Sequence, residues 1–314
     1  MKIIFHDNAL SIRGTTVALY DYAYYCKHLF GYECNILYNQ NHHANDDKAI
    51  EKFQKEFEIV NSYNNIQEMQ EIILSQKADA FFMIKSGVFD NIISNSCKNW
   101  VNAIGPCKKC NIHGDKFFMG SKWLSDISDG IDYVPYMVNL PEHNQNMREE
   151  LGIPKNAIVF GRNGGHDAFN ISFAKQCVVD SLSKKNNIYY LFQGTDKFID
   201  HERVIHIPIT ADLNEKVRFI NTTDALLHAR DLGESFGQTC AEFSAKNKPV
   251  ITWFGSPERN HIDTLGSKGF YYNDYNDLMR IILSFEPDNS KDWNCYKDYY
   301  PEIVMERFKN YYIN

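Results

Sequence analysis

The sequence has no long run of hydrophobic residues and no cluster rich in Lys and Arg. Its apolar segments, such as Ala80–Ile84 and Val250–Phe254, are far shorter than the roughly 20 residues that a membrane-spanning helix needs. Because 33 Lys and Arg stand against 40 Asp and Glu, the chain carries a formal charge of −7 and is a poor candidate for binding nucleic-acid phosphates. We therefore expect neither a transmembrane segment nor a nucleic-acid partner.

The N-terminus also lacks the pattern of a secretory signal, because the strand-like Lys2–Phe5 is followed at once by polar residues. The eight cysteines are spread along the chain, and several lie inside apolar periodic segments, which suits free thiols in a reducing compartment. Cys107 and Cys110, with His113 nearby, make up half a zinc site at most. We expect a cytoplasmic protein without bound metal.

The chain does contain enough apolar residues for two cores, since 44% of its 314 residues are hydrophobic. Short β-rich runs alternate with segments of helical periodicity, which predicts parallel sheets with helices on both faces. The predicted strands are Lys2–His6, Cys34–Tyr38, Glu58–Val60, Ala80–Ile84, Trp100–Ile104, Phe117–Met119, Tyr133–Pro135, Ala157–Phe160, Ile188–Phe192, Val204–Ile207, Ala225–His228, Pro249–Trp253 and Phe270–Tyr272. The clearest predicted helices are Thr16–Leu29, Ile66–Gln76 and Asn170–Lys184.

A polar segment with prolines, residues 138–155, separates two halves of this pattern and predicts a linker with a short helix. We assign residues 1–140 to one doubly wound α/β domain and residues 141–290 to a second. Residues 291–314 are expected to form a helical tail that packs back on the first domain. Ligands of such domains bind at the carboxyl ends of the strands, so a cleft between the domains is the default site.

The sharpest local pattern lies in residues 224–252, where a buried strand, a glycine-containing turn, a helix and another buried strand follow one another. The turn Gly233–Gly237 would present backbone N–H groups at a helix N-terminus, which suits phosphate or another anionic oxygen. Glu234 lies on this turn. Glu242 follows eight residues later, about two helical turns further along.

Two glutamates separated by seven residues, with Phe236-Gly237 between them and Lys248-Pro249-Val250 after them, resemble the donor-site signature of family-4 glycosyltransferases of the GT-B fold. Leu151–Pro154 followed by Ile158–Arg162 resembles the opening of that family's C-terminal domain, and a weaker likeness extends over the N-terminal half. The resemblance implies two Rossmann-like domains that face one another across a cleft.

The resemblance also implies an activity. The enzyme would transfer a sugar from a UDP- or GDP-linked donor on the C-terminal domain to a hydroxyl of a glycan or other acceptor on the N-terminal domain, with retention of configuration. The chain has no Asp-x-Asp, through which another glycosyltransferase class holds a divalent ion, so we expect a metal-independent enzyme without a cofactor. The alternatives are a non-catalytic protein of this shape that binds sugar nucleotides or glycans, and a sugar-nucleotide epimerase.

The resemblance assigns roles residue by residue. Glu234 would contact sugar hydroxyls, Glu242 the ribose and Arg162 the diphosphate, so Arg162 and Glu234 are the catalytic candidates. The full donor-binding set is Gly161, Arg162, Gly164, Gly165, His166, Glu234, Ser235, Phe236, Gly237, Gln238 and Glu242. Arg13 and Gly14 stand where the family has a double glycine, and they are candidates for an acceptor or phosphate loop.

Besides Arg13-Gly14, the chain departs from the family pattern at two further places. No Lys follows Arg162 at the usual distance, so His166 or the glycine-loop amides are candidates for its task. Ile104 replaces the family's His before Gly-Pro, and His113 is the nearest substitute. His228 and His261 are further candidates, although His228 could equally be a core histidine.

Structural interpretations of the same residues stay open. Glu242 could pair with Lys246 one helical turn away on a solvated face, and Glu234 could be a first-turn acid favoured by the helix dipole. Arg13 could be an exposed loop cation.

Overall fold

The computed structural model describes the whole chain, Met1–Asn314. The chain forms two compact units. The N-unit comprises residues 1–137 and 298–314, and the C-unit comprises residues 138–297. The sequence analysis had placed the corresponding boundaries after residues 140 and 290. No helix is both long and apolar enough to cross a membrane.

The N-unit is built on a parallel sheet of six strands. They are β1 (Lys2–Asp7), β2 (Glu33–Asn39), β3 (Val60–Tyr63), β4 (Ala80–Lys85), β5 (Lys98–Ala103) and β6 (Lys116–Met119). The helices between them are α1 (Gly14–Phe30), α2 (Asp47–Glu56), α3 (Ile66–Gln76) and α4 (Lys122–Ile127). The strand order is β3-β2-β1-β4-β5-β6, so it reverses between β1 and β4. All six residues of β4 are buried, as expected for a strand covered on both faces.

The C-unit repeats this plan. Its strands are β7 (Ile158–Asn163), β8 (Ile188–Gln193), β9 (Val204–Ile207), β10 (Ala225–His228), β11 (Gly233–Glu234), β12 (Val250–Trp253), β13 (Glu258–Arg259) and β14 (Phe270–Tyr272). Its helices are α5 (Ser172–Lys184), α6 (Leu213–Thr222), α7 (Gln238–Ala245), α8 (Asn260–Leu265) and α9 (Tyr275–Ser284). The main sheet runs β9-β8-β7-β10-β12-β14, all parallel, and β11 pairs with β13 apart from it. The prediction of two doubly wound parallel-sheet domains is therefore confirmed.

The last helix, α10 (Pro301–Phe308), completes the N-unit and continues as a π-helical turn to Ile313. Its Phe308 and the following Tyr312 pack their rings against Phe82 and Trp100 in the sheet. The Tyr312 hydroxyl donates to the carbonyl oxygen of Val101 at 2.8 Å. The C-terminal residues are thus part of the N-unit's core.

Three local predictions were wrong. Tyr133–Pro135 is not a strand, because it forms only one isolated parallel bridge, between Tyr133 and Met119. The interdomain segment contains turns but no helix, and Gly152 adopts a left-handed φ of 64° where a helix would continue. In the predicted helical tail 291–314, a regular helix begins only at Pro301, which suits a first helical position.

Gly161 in β7 marks the tightest contact between that strand and the segment leading into β10. A Cβ on this residue would overlap the side chain of Thr223, which is fully buried and donates its hydroxyl to Ile220 at 2.8 Å. We predict that Gly161→Ala lowers the free energy of unfolding by about 1–3 kcal/mol, because the core must shift to admit a methyl group. Urea unfolding measures this loss.

The matched control is Gly165→Ala, since a Cβ there would meet only the side-chain oxygen of Asp167 at 3.3 Å, and this exposed side chain can move away. It should change the unfolding midpoint little. Equal midpoints for the two variants would contradict the close approach at Gly161.

Candidate functional site

Polar side chains meet at the carboxyl ends of the central strands of the C-unit sheet. Arg162 and Asn163 end β7, His228 ends the neighbouring β10, and the strand register pairs His228 with Thr252 of β12. The strand order reverses between β7 and β10, and ligands of doubly wound sheets bind at this switch point. The sheet thus concentrates polar groups where its topology leaves a crevice.

The turn from β11 to α7 requires glycine at its last position. Gly237 is the N-cap of α7 and has φ 90°, a conformation that other residues rarely adopt. A Cβ there would lie 3.1 Å from Cβ of His261 and 3.2 Å from Cβ of Glu234. The amide of Asn260 fixes the turn by donating to the carbonyl oxygen of Phe236 at 2.8 Å. The backbone N–H groups at the start of α7 are therefore held beside Glu234.

The Glu234 carboxylate is held at both oxygens. Oε1 lies 3.1 Å from Nε2 of His228, and Oε2 lies 3.0 Å from Nη1 of Arg230. Burial alone would raise the pKa of Glu234, but the hydrogen bond from His228 and the charge of Arg230 outweigh it, so this pKa lies below its ordinary value. Glu234 precedes the helix in β11, and its side chain is therefore no first-turn dipole acid.

A buried chain of hydrogen bonds continues from Glu234. Nδ1 of His228 lies 2.9 Å from the Thr252 hydroxyl, which lies 3.1 Å from Nε2 of His261. Burial, followed by the charge of His228, lowers the pKa of His261 to about 3. Because an ionised carboxylate only accepts hydrogen bonds, His228 must donate from Nε2 to Glu234, and the Thr252 hydroxyl connects His228 to His261.

Arg162 is 4% exposed and donates from Nη1 to the Thr195 hydroxyl at 2.7 Å. Burial lowers its pKa to about 10, against the opposing effect of the Glu234 charge, so the guanidinium is still charged at pH 7. Its other terminal nitrogen packs on Gly164, where a Cβ would lie only 2.9 Å from Nη2. Beside it, the side-chain oxygen of Asn163 is buried without a hydrogen-bond partner.

Glu242 lies deeper in the C-unit and is 2% exposed. Its Oε1 accepts from Nζ of Lys216 at 2.8 Å and from the Gln238 amide at 3.4 Å. Lys246 instead pairs with Glu142. The alternative of a solvated Glu242–Lys246 pair was therefore wrong, because the carboxylate points inward and toward α6.

The remaining predicted residues lie outside this cluster. His166 is exposed and pairs with Asp196 at 2.9 Å, and the Phe236 ring is buried near Tyr296. His261, which belongs to the cluster, lies in α8. In the N-unit, Arg13 is exposed, Gly14 starts α1, and His113 contacts the Asn111 carbonyl oxygen.

The cysteine cluster does not come together as a metal site. The Cys107 thiol contacts the Met119 sulfur at 3.7 Å, whereas Cys110 is exposed. No group of three or more His, Cys, Asp or Glu side chains in the chain is arranged to hold a metal ion.

Sequence reasoning missed four residues of the network, namely Thr195, Lys216, Arg230 and Thr252. Thr252 and Thr195 carry a usable signal, because polar side chains at or just after the ends of buried parallel strands face the same sheet edge. Arg230 stands four residues before Glu234, but the two are not on one helix. Lys216 carries no local signal, since its partner is 26 residues away.

The Lys216–Glu242 pair is buried on both sides, with 13% and 3% of the side chains exposed. We predict that Lys216→Met lowers the free energy of unfolding by about 3–5 kcal/mol, because it leaves the buried carboxylate of Glu242 without its ion-pair partner. Chemical denaturation followed by circular dichroism measures this loss.

Lys246→Met is the matched control, because its partner Glu142 is 88% exposed and stays hydrated when the pair is broken. Its loss should be less than half as large. Similar losses in both variants would mean that Glu242 does not depend on Lys216.

No protein-family model matches the chain, and no curated protein matches its sequence. Solved structures do match. A glycosyltransferase from Rickettsia africae superposes with a TM-score of 0.71 at 15% identity, covering 100% of this chain and 99% of its own. The Anabaena protein Alr3699/HepE, crystallised with UDP and glucose, gives 0.71 at 11% identity and covers 99% of this chain and 98% of its own. A putative UDP-N-acetylglucosamine 2-epimerase from Listeria monocytogenes gives 0.63 at 12% identity, covering 100% and 96%.

These similarities span nearly the full length of this chain and of each matched structure, so they concern the complete two-domain architecture. At such low identity they establish the fold alone. The chain has the GT-B fold, with two Rossmann-like domains that each contain six parallel strands.

Proposed function

We propose that the protein is a glycosyltransferase that moves a sugar from a UDP-sugar to a hydroxyl of an acceptor glycan. The observation that carries this proposal is the group at the C-unit switch point: a buried, charged Arg162, the glycine turn at the start of α7, and the ionised Glu234. Structures of this fold with bound UDP and glucose support UDP as the nucleotide.

Arg162 and the turn amides suit a diphosphate. Charge-assisted hydrogen bonds from a buried guanidinium are strong, and the N–H groups of Ser235–Gln238 lie at the positive end of α7. Gly165 brings a further backbone N–H group to the same strand end, whereas the N–H of Gly164 already donates to the carbonyl oxygen of Gln193 at 3.2 Å. Donors fixed in advance stabilise the charge that develops on a leaving diphosphate, which is the largest contribution such a site can make.

Glu234 suits the donor sugar. A carboxylate has about four lone-pair positions, and His228 and Arg230 occupy two of them. The remaining positions accept hydrogen bonds from sugar hydroxyls. Because the carboxylate is fixed at both oxygens, binding a sugar costs it little side-chain entropy.

Glu242 would bind the ribose through only one of its two carboxylate oxygens. Both of its hydrogen bonds go to Oε1, which leaves Oε2 for a ribose hydroxyl. Lys216 holds this carboxylate in place, although it does not itself replace the family's missing Lys.

We further propose that transfer retains the anomeric configuration and needs no metal, as the resemblance to family 4 implies. Arg162, with Arg230 close to Glu234, supplies positive charge that a divalent ion would otherwise bring. Arg13 and Gly14 remain the proposed contacts of the N-unit with acceptor or phosphate, and His113, His166, His228 and His261 are secondary candidates.

A sugar-nucleotide epimerase is the second candidate, because His228 and Glu234 form an acid–base pair and an epimerase shares the fold. The deciding experiment incubates the purified protein with UDP-sugars, with and without an oligosaccharide acceptor, and measures released UDP and sugar isomers. We expect UDP release that depends on acceptor and survives EDTA.

Isomerisation without UDP release would establish the epimerase instead. Binding of UDP without either reaction would establish a non-catalytic binding protein. Loss of all turnover on chelation would contradict the metal-independent mechanism.

Substitution of Glu234 and of Glu242 should weaken the binding of different ligands. Glu242→Ala should weaken UDP and UDP-sugar by similar factors, whereas Glu234→Ala should weaken only the UDP-sugar. Each lost charge-assisted hydrogen bond is worth roughly 1.5–3 kcal/mol, about ten- to hundredfold in affinity. Calorimetric titration of both ligands measures this difference, and wild-type affinities in both variants would contradict the donor-site assignment.

A further inference from the structure

The N-unit contains a cavity of about 520 Å³ that includes none of the proposed donor-site residues. It is lined by the start of α4, the segment 133–135 and α10 with its flanking turns. We call it the α10 groove. Its volume falls within the range of about 300–1,000 Å³ that is typical of small-molecule sites. Its main aromatic and charged lining residues are Lys122, Tyr133, Asp298, Tyr299, Arg307 and Tyr311.

Arg307 forms one wall of the groove together with two tyrosine rings. Its guanidinium carbon lies 3.7 Å from the ring centre of Tyr133 and 5.5 Å from that of Tyr311. Its Nε is buried and has no hydrogen-bond partner. Its terminal nitrogens are not buried and form no side-chain hydrogen bond with the chain, so they are the donors available to an oxygen of a bound molecule.

The charges of the groove argue against an anionic occupant. Two cations, Arg307 and Lys122, face two carboxylates, Asp298 and Glu306, and Lys122 is already held by Asp126 at 2.7 Å. Asp298 and Glu306 form no ion pair, so they would repel a phosphate or carboxylate. A neutral molecule with several hydroxyls can donate to these carboxylates and accept from the terminal nitrogens of Arg307.

The tyrosines add apolar surface with polar edges, and Ile303, 48% exposed, extends this surface at the rim. A pyranose ring combines a C–H face, which packs on such surfaces, with hydroxyls around its edge. We infer that the α10 groove is a subsite for a neutral sugar residue of the acceptor glycan, apart from the residue that receives the transferred sugar. This inference rests on the proposed function only in naming that glycan as the acceptor.

The test titrates maltotriose, chitotriose and α-mannotriose into the full-length protein and follows binding by saturation-transfer NMR. UMP and trigalacturonic acid serve as the nucleotide and acidic probes. The variants are Glu306→Ala and Tyr311→Ala in the groove, with Glu302→Ala as the matched control, because Glu302 is an exposed acid on the same helix that does not line the cavity. Thermal unfolding checks that each variant is folded, and Glu306→Ala carries the test if Tyr311→Ala is not.

We expect at least one neutral trisaccharide to bind. Its affinity should fall about fivefold or more in each groove variant, the loss of roughly one hydrogen bond, and stay unchanged in Glu302→Ala. Absence of binding by all three trisaccharides, equal binding by wild type and groove variants, or preferential binding of UMP or trigalacturonic acid in the groove would overturn the inference. Titration of UDP in the same variants tests the proposed function separately, because no groove residue belongs to the donor site.

Discussion

The ionised carboxylate of Glu234 is the interaction on which the candidate site depends. It accepts from His228 and Arg230, and His228 connects it through Thr252 to His261. The charge is kept because a histidine and an arginine outweigh the cost of burial, and the same charge helps to keep Arg162 protonated.

The topology explains why these groups meet. Reversal of strand order between β7 and β10 opens a crevice at the carboxyl edge of the C-unit sheet, and the short β11–β13 pair carries Glu234 to that edge. Gly237 allows α7 to start there without a side chain between Glu234 and His261. Polar residues at strand ends thus lie at one edge of the sheet, while the strand interiors remain apolar.

Much of the fold was predictable from local patterns, and much of the site was not. Val204–Ile207 and Ile66–Gln76 matched their predicted bounds because apolar periodicity and flanking turns define such elements locally. The Glu234 turn was predictable because its glycines and the following helix lie within a few residues. Glu242 took an unexpected partner, since an ion pair with Lys216 depends on how α6 packs against α7. The α10 groove had no signal either, because it joins residues more than 150 positions apart in the chain.

The central claim is that a nucleoside diphosphate binds at the C-unit switch point. Selective ¹⁵N labelling of the 17 glycines, followed by NMR titration with UDP, tests it most directly. The account predicts that the amide signals of Gly164, Gly165, Gly233 and Gly237 shift on titration, whereas those of Gly87 and Gly105 in the N-unit stay in place. UDP-dependent shifts confined to N-unit glycines, or no shift at saturating UDP, would contradict it.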